Sequence, residues 1–350
     1  MMKSIYDYSE ERFASYFLSL GEKKFRATQI IEALYRKRVN SFDEITNINK
    51  KTIEKLKEDF SFSSDLSLVK LSSSSDGTKK YLFSLSDNNL IETVLMNQSY
   101  GYSICVTSQV GCNMGCKFCA SGETKKIRNL NPSEMVLQVL TVARDLDSVG
   151  KRLSHVVIMG IGEPFDNYDN VIEFIKIINN PKGLEIGARH ITVSTCGVVP
   201  KIIEFSELPL QVNLAISLHF PNDELRSKYM PINKKYNLKE LFSALKVYYE
   251  KTNRRITFEY ILLDGINDTL TCAKELCELI KGINAYVNLI PYNETDHGLR
   301  RSLDKKRDEF FNYLTKNHVN AIVRKEHGGD IDAACGQLRV KTDPSLKVKK

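Results

Sequence analysis

The sequence predicts an α/β fold in which parallel strands and crossover helices build a barrel or part of one, preceded by a small helical region and a short β extension. Three observations carry this. From Ser103 onward, seven short apolar runs alternate with amphipathic helical stretches, as parallel strands joined by crossover helices do. Residues Leu66 to Met96 hold three strand-like runs separated by SDG and SDNN, which are turn signals. Residues 1–60 read instead as short amphipathic helices.

In the first of these regions, Ile30, Ala33 and Leu34 share one face of a helix starting near Arg26. The same stretch concentrates Lys23, Lys24, Arg26, Arg36, Lys37 and Arg38. In the extension, 61–98, Gly77 after Asp76 marks a hairpin. A boundary falls near residue 98; the core occupies 99–340 and a basic tail 341–350. The core strands are SICVTS, HVVIMG, ITVSTC, VNLAISLH, ITFEYILL, YVNLIPY and NAIVRK. One helix starts at Asn131, which caps it, with Pro132 in the first turn and Glu134 completing a capping box. Val136, Val139, Leu140 and Ala143 then form its apolar stripe. The other helices are YDNVIEFIKIINN, NLKELFSALKVYYEKTN, LTCAKELCELIKGIN and DKKRDEFFNYLTKNH.

Composition narrows the function class. With 42% hydrophobic residues, the 350-residue chain has material for a sizeable core. It has no apolar run of the roughly 18 residues that a membrane helix needs. The N-terminal MMKSIYDYSEERF lacks an apolar signal region, so a cytoplasmic location is expected. In a reducing cytosol the eight cysteines are not expected to form structural disulfides. The net charge of +7 permits an RNA partner without requiring one.

The cysteines carry the chemistry. GCNMGCKFCA places Cys112, Cys116 and Cys119 at C-x3-C-x2-C, following the strand SICVTS. Barrels place their active sites at such strand ends. A structural zinc site wants four ligands, often as two C-x2-C pairs, and no second pair exists here. Three thiolates suit a 4Fe–4S cluster with one iron left open, and an open position is what a catalytic metal needs. A zinc site completed by a distant fourth ligand is the alternative. Cys272, Cys277, Cys196 and Cys105 read as packing. Cys335, among small and polar residues in GGDIDAACGQL, stands evenly between packing and function. Taken alone, Glu92 reads as a solvent-facing strand charge, GIGEP as a tight strand-to-helix turn and His219 as a core or rim histidine.

The cysteine spacing, with the aromatic Phe118 before the last thiol, resembles that of radical S-adenosylmethionine (SAM) enzymes. SQVGCNMGCKFCA, GIGEP, LIPYN and GDIDAACGQL occur in one order, together with KFRATQIIEALYRKRV and the IETV strand. In this the chain is similar, over nearly its whole length, to the RlmN-type adenosine methyltransferases and their Cfr relatives. The resemblance implies a radical SAM partial (β/α) barrel. It implies a 4Fe–4S cluster on Cys112, Cys116 and Cys119, whose open iron chelates SAM. It implies two SAM molecules per turnover: one methylates Cys335, and the other yields a 5′-deoxyadenosyl radical that activates the S-methyl group for addition to an adenine carbon. Glu92 corresponds to the family's proton acceptor, and Cys105 to the thiol that resolves the protein–RNA adduct by forming a transient disulfide with Cys335. Gly162, Glu163, Ser194, Ser217, Leu218, His219 and Asn293 correspond to SAM contacts.

The implied partners are 23S rRNA, tRNA and an electron donor such as flavodoxin or ferredoxin, with no membrane partner and a monomeric enzyme. GIGEP and LIPYN favour methylation of adenine carbon 2; the carbon-8 Cfr pattern tends toward GMGEA and LIRYN. Ile161 departs from the usual Met, and Glu326 and His327 depart from the basic residues common there. An RNA-binding iron–sulfur protein without catalysis would not need Cys335, Cys105 and Glu92 together. A radical SAM enzyme for small molecules would not need the basic helical platform.

Overall fold

Ten strands form one sheet in the computed structural model, which describes residues 2–62, 66–295 and 298–338. They are β1 (Leu66–Ser73), β2 (Lys79–Leu85), β3 (Leu90–Gln98), β4 (Gly101–Cys105) and β5 (Leu153–Ile158). They continue with β6 (Ile191–Thr195), β7 (Asn213–Ser217), β8 (Ile256–Leu262), β9 (Ala285–Pro291) and β10 (Asn320–Val323). Their spatial order is their chain order. β1 to β4 pair antiparallel, and β4 to β10 run parallel. The expected boundary near residue 98 is thus a tight turn inside one sheet, between β3 and β4. The sheet is open, with β1 and β10 as its edges, yet it curls: Ser103 of β4 and Val323 of β10 line one cavity of about 890 Å³. The parallel run is therefore a partial barrel.

The N-terminal region is helical, with α1 (Glu10–Ser19), α2 (Phe25–Ile31) and α3 (Lys50–Asp59). The helix of α2 continues through a π turn over Glu32–Arg36, and Ile30, Ala33 and Leu34 are all buried. Phe13, Phe17, Tyr35 and Leu56 belong to the same contiguous core as the barrel strands. Ser9 N–H donates to Glu173 and Ser133 N–H donates to Asp7 across that junction. Of the basic cluster, Arg26 pairs with Glu22 and Arg38 with Asp147. Lys23, Lys24, Arg36 and Lys37 stay exposed.

Helices cross between the parallel strands. α4 (Pro132–Asp147) has the capping box at Asn131 and Glu134, and α5 (Tyr168–Asn179) follows β5. α6 (Val199–Phe205) and α7 (Asp223–Tyr229) are short, of seven residues each, less than the length over which an apolar stripe declares itself. α8 (Leu238–Thr252), α9 (Leu270–Leu279) and α10 (Asp304–Lys316) complete the set. No helix among the described residues is long and apolar enough to cross a membrane. The tail 341–350 lies outside the described residues.

Candidate active site

The strand SICVTS ends at Cys105, and the chain then passes through Gln109–Val110, which pairs with Arg128–Asn129 and closes the base of the cysteine loop. Gly111 enters that loop at φ 74°, where a Cβ would lie 2.3 Å from the Lys125 carbonyl oxygen; only glycine fits. Within the loop, Cys112 N–H donates to Thr124 O and Cys119 N–H to Cys116 O. Phe118 is buried edge-on against the His219 ring, 4.8 Å between centroids. Burial pushes Cys112 up to about 12 and also raises Cys116 and Cys119. Metal ligation needs thiolates, so loading the site releases protons. Among the described residues no three side chains converge on a single-ion site. The three thiols line one cavity of about 170 Å³, a donor set that fits a 4Fe–4S cluster.

The ends of the parallel strands supply the rest of that cavity: Gly162, Glu163, Ser194, Ser217 and His219 line it with the thiols and Cys335. Gly162 has φ 108°, and a Cβ there would meet the Gln109 side chain at 2.6 Å. Glu163 is buried. Its two oxygens accept from Phe165 N–H at 3.0 Å and Cys196 N–H at 2.8 Å. Burial raises its pKa against those hydrogen bonds. Ser194 and Ser217 place their hydroxyls 3.3 Å apart. His219 sits at φ 58°, a strained position for a non-glycine residue. Its Nδ1 accepts from Ile261 N–H, and burial lowers its pKa to about 3. The ring is therefore neutral with its proton on Nε2. Leu218 turns its side chain into the core and does not line the cavity.

Arg226 of α7, which the sequence reading missed, is fully buried beneath this rim. Its guanidinium donates to the carbonyls of Cys196 and Leu218 and to Asn233. It thus ties the ends of β6 and β7 together. Nothing in DELRSKY distinguishes it from a surface charge.

The opposite wall is the loop that carries Cys335, which is exposed. Asn293 donates to Cys335 O at 3.2 Å, Ala120 N–H to Gly336 O at 2.8 Å and Ser121 Oγ to Leu338 O at 2.6 Å. The β1–β2 hairpin holds the other end. Gly328 N–H donates to Asp76 and Lys80 Nζ to Asp332 O. His327 is buried 3.4 Å from Asp76, and Glu326 pairs with Arg301. Cys105 packs with Val94, Met96, Ala333 and Leu338. Burial and then the neighbouring Cys335 push Cys105 up to about 12, with Arg324 opposing. Glu92 is buried on β3, not solvent-facing, with Lys80 Nζ 3.2 Å from its Oε1. All eight cysteines are free thiols; Cys272 is buried on α9 and Cys196 lies against Glu163.

Two further charges escaped the sequence reading. Glu259 of β8 and Arg324 after β10 stand 3.7 Å apart on the wall shared by the two cavities. The nearby Cys335 raises the Arg324 pKa, burial opposes, and Glu259 adds to the rise. Glu259 was the findable one, as a lone charge inside the apolar run ITFEYILL.

A cysteine-lined cavity at the strand ends of a partial barrel suits radical SAM chemistry, and similarity to known proteins points the same way. The family model of the radical SAM superfamily matches residues 106–279, and that of the ribosomal RNA large subunit methyltransferase N-terminal domain matches residues 3–61. A crystal structure of a radical SAM methyltransferase from Sphaerobacter thermophilus superposes with TM-score 0.90 at 40% identity, covering 97% of this chain and 100% of that one. The chain is thus a radical SAM enzyme, a class that uses a 4Fe–4S cluster and SAM. The probable dual-specificity RNA methyltransferase RlmN of Spiroplasma citri is 54% identical over 99% of this chain and 100% of that one. Its Enterococcus faecalis counterpart is also 54% identical, over 99% of both. The chain belongs to the RlmN family of methyltransferases.

Proposed function

We propose that this enzyme methylates carbon 2 of adenosine in 23S rRNA and in tRNA, through an S-methylcysteine on Cys335 and a transient protein–RNA adduct. The observation that carries the reading is the shared cavity: Cys335 lines it with Cys112, Cys116 and Cys119, and Cys105 lies behind Cys335. A thiol facing the cluster ligands, with a second thiol in reserve, is what methylation of a weakly nucleophilic ring carbon needs. The relatives are named dual-specificity RNA methyltransferases, which supports more than one RNA substrate.

Cys112, Cys116 and Cys119 would hold the cluster, and Gly162, Glu163, Ser194, Ser217, His219 and Asn293 would surround SAM, Leu218 contributing backbone alone. Glu163 would pair with the methionine ammonium. When bound, the cluster and SAM supply a carbon-centred radical that takes hydrogen from the S-methyl group. Cys335 first attacks the SAM methyl as a thiolate, displacing S-adenosylhomocysteine. Two SAM molecules are consumed per turnover. Joining the methylene carbon to adenine leaves one unpaired electron on the ring, which the oxidised cluster would take back, and Glu92 accepts the proton from the substituted carbon. Cys105 then attacks the Cys335 sulfur. The sulfur–methylene bond breaks, its electron pair leaves on carbon, and that carbon takes up a proton to become the new methyl group. The Cys105–Cys335 disulfide so formed is reset by a two-electron cellular reductant. The exposed Lys23, Lys24, Arg36 and Lys37 offer phosphate contacts to RNA. An electron donor such as flavodoxin or ferredoxin would serve a monomeric, cytoplasmic enzyme.

The test is mass spectrometry of nucleosides from 23S rRNA and tRNA after anaerobic incubation with the reconstituted protein, SAM and reductant. 2-Methyladenosine in both RNAs is expected. 8-Methyladenosine would move the enzyme to the Cfr chemistry. 5′-Deoxyadenosine without either product would overturn the RNA assignment.

A further inference from the structure

Glu92 and Lys80 are diagonal neighbours on adjacent antiparallel strands. Leu82 stands opposite Glu92 and Lys80 opposite Val94, so the two charged side chains share one face. Both are shielded: the Glu92 side chain is 6% exposed and that of Lys80 15%, with Nζ 3.2 Å from Oε1. A carboxylate withdrawn from water favours its protonated form unless a cation lies beside it. A base must be ionised to act, and an ammonium this close favours that form. The same ammonium donates a 3.2 Å hydrogen bond to Asp332 O, three residues before Cys335. Lys80 is not part of the cavity lining around the cluster ligands.

We propose that Lys80 is the positioning residue for adduct release: it keeps Glu92 anionic and aims it from the same position in which it docks the Cys335 loop. This rests on the reading of Glu92 as the proton acceptor. In the step concerned, the carbon–hydrogen bond at the substituted adenine carbon breaks and its electron pair stays in the ring. The proton passes to a Glu92 carboxylate oxygen, which becomes neutral. Because one ammonium contacts both the base and the loop, the base is poised when the loop presents Cys335.

The test uses the full chain, anaerobically reconstituted, with a 23S rRNA fragment and the variants Lys80→Gln, Lys80→Arg and Glu92→Gln. Glutamine retains a donor for Asp332 O without the charge, and arginine retains the charge. Each is assayed for 5′-deoxyadenosine, S-methylation of Cys335, nuclease-sensitive adduct on a denaturing gel, and methylated product. Lys80→Gln is expected to cleave SAM and methylate Cys335 normally, yet to hold the adduct with release slowed about 10²-fold, the scale of a lost general base. Lys80→Arg is expected to release product within about tenfold of the unaltered enzyme. Normal release by Lys80→Gln, loss of Cys335 methylation in it, or a stalled Lys80→Arg would each overturn the proposal. If Lys80→Gln fails to fold, Lys80→Met takes its place and is judged by the same outcomes. Glu92→Gln separates the two readings: if it releases product normally, Glu92 is not the base; if it stalls while Lys80→Gln does not, only the role of Lys80 falls.

Discussion

The two walls of the cavity are built differently. The cluster wall is made from strand ends and a loop pinned by buried groups: Arg226 ties β6 to β7, and Glu163 is held at both oxygens by backbone N–H groups. The acceptor wall is a loop over residues 327–338, with its thiol exposed and its grip supplied by a few side chains from the hairpin, Asn293 and Ser121. One wall owes its geometry to the fold. The other is strapped on, as suits a thiol that on the proposed mechanism accepts a methyl group, bonds to RNA and then meets Cys105.

Three experiments press on that contrast. Cys105→Ala has the largest expected effect. It should leave SAM cleavage intact but stop the enzyme after one event, with the RNA retained as a nuclease-sensitive band shift. Free methylated RNA without adduct would remove Cys105 from the acceptor wall's chemistry. Arg226→Met should lower global stability by about 3 kcal/mol, because the carbonyls it serves are left buried without donors. Urea unfolding measures this; an unchanged midpoint would mean that the cluster wall is not held by that residue. Asp76→Asn has the smallest expected effect, about 1 kcal/mol confined to the loop, or roughly fivefold in its open population. It should appear as faster alkylation of Cys335 and faster amide exchange at Gly328, with the urea midpoint unmoved. Global unfolding in Asp76→Asn alongside a stable Arg226→Met would invert the comparison.

The same division governs what the sequence reveals. All seven core strands lie where the apolar runs place them, and the Asn131–Glu134 capping box forms as its spacing requires. Three cysteines in one loop announce their wall because the spacing is local. The other wall is assembled from residues far apart in the chain, and no local pattern encodes it. Lys80 looks like any hairpin lysine until β2 is laid beside β3. Arg226 lies on a seven-residue helix whose burial depends on what the cysteine loop covers. Leu218, flanked by two cavity residues, faces the other way because side chains alternate along the strand end. Glu92 reads as a surface charge because its ion-pair partner Lys80 lies on another strand and is itself bonded to Asp332 O, near the far end of the sequence.

The clasp between Asp76 and Gly328 joins residues 252 positions apart. During synthesis the hairpin leaves the ribosome first, and the cysteine loop and every parallel strand follow it before Cys335 emerges. A nascent chain of that length has its cluster ligands but neither the acceptor thiol nor the strap that orders it. On the proposed mechanism, translation makes the methyl-accepting loop the last to arrive, and a truncated chain lacking it would form no covalent adduct with RNA.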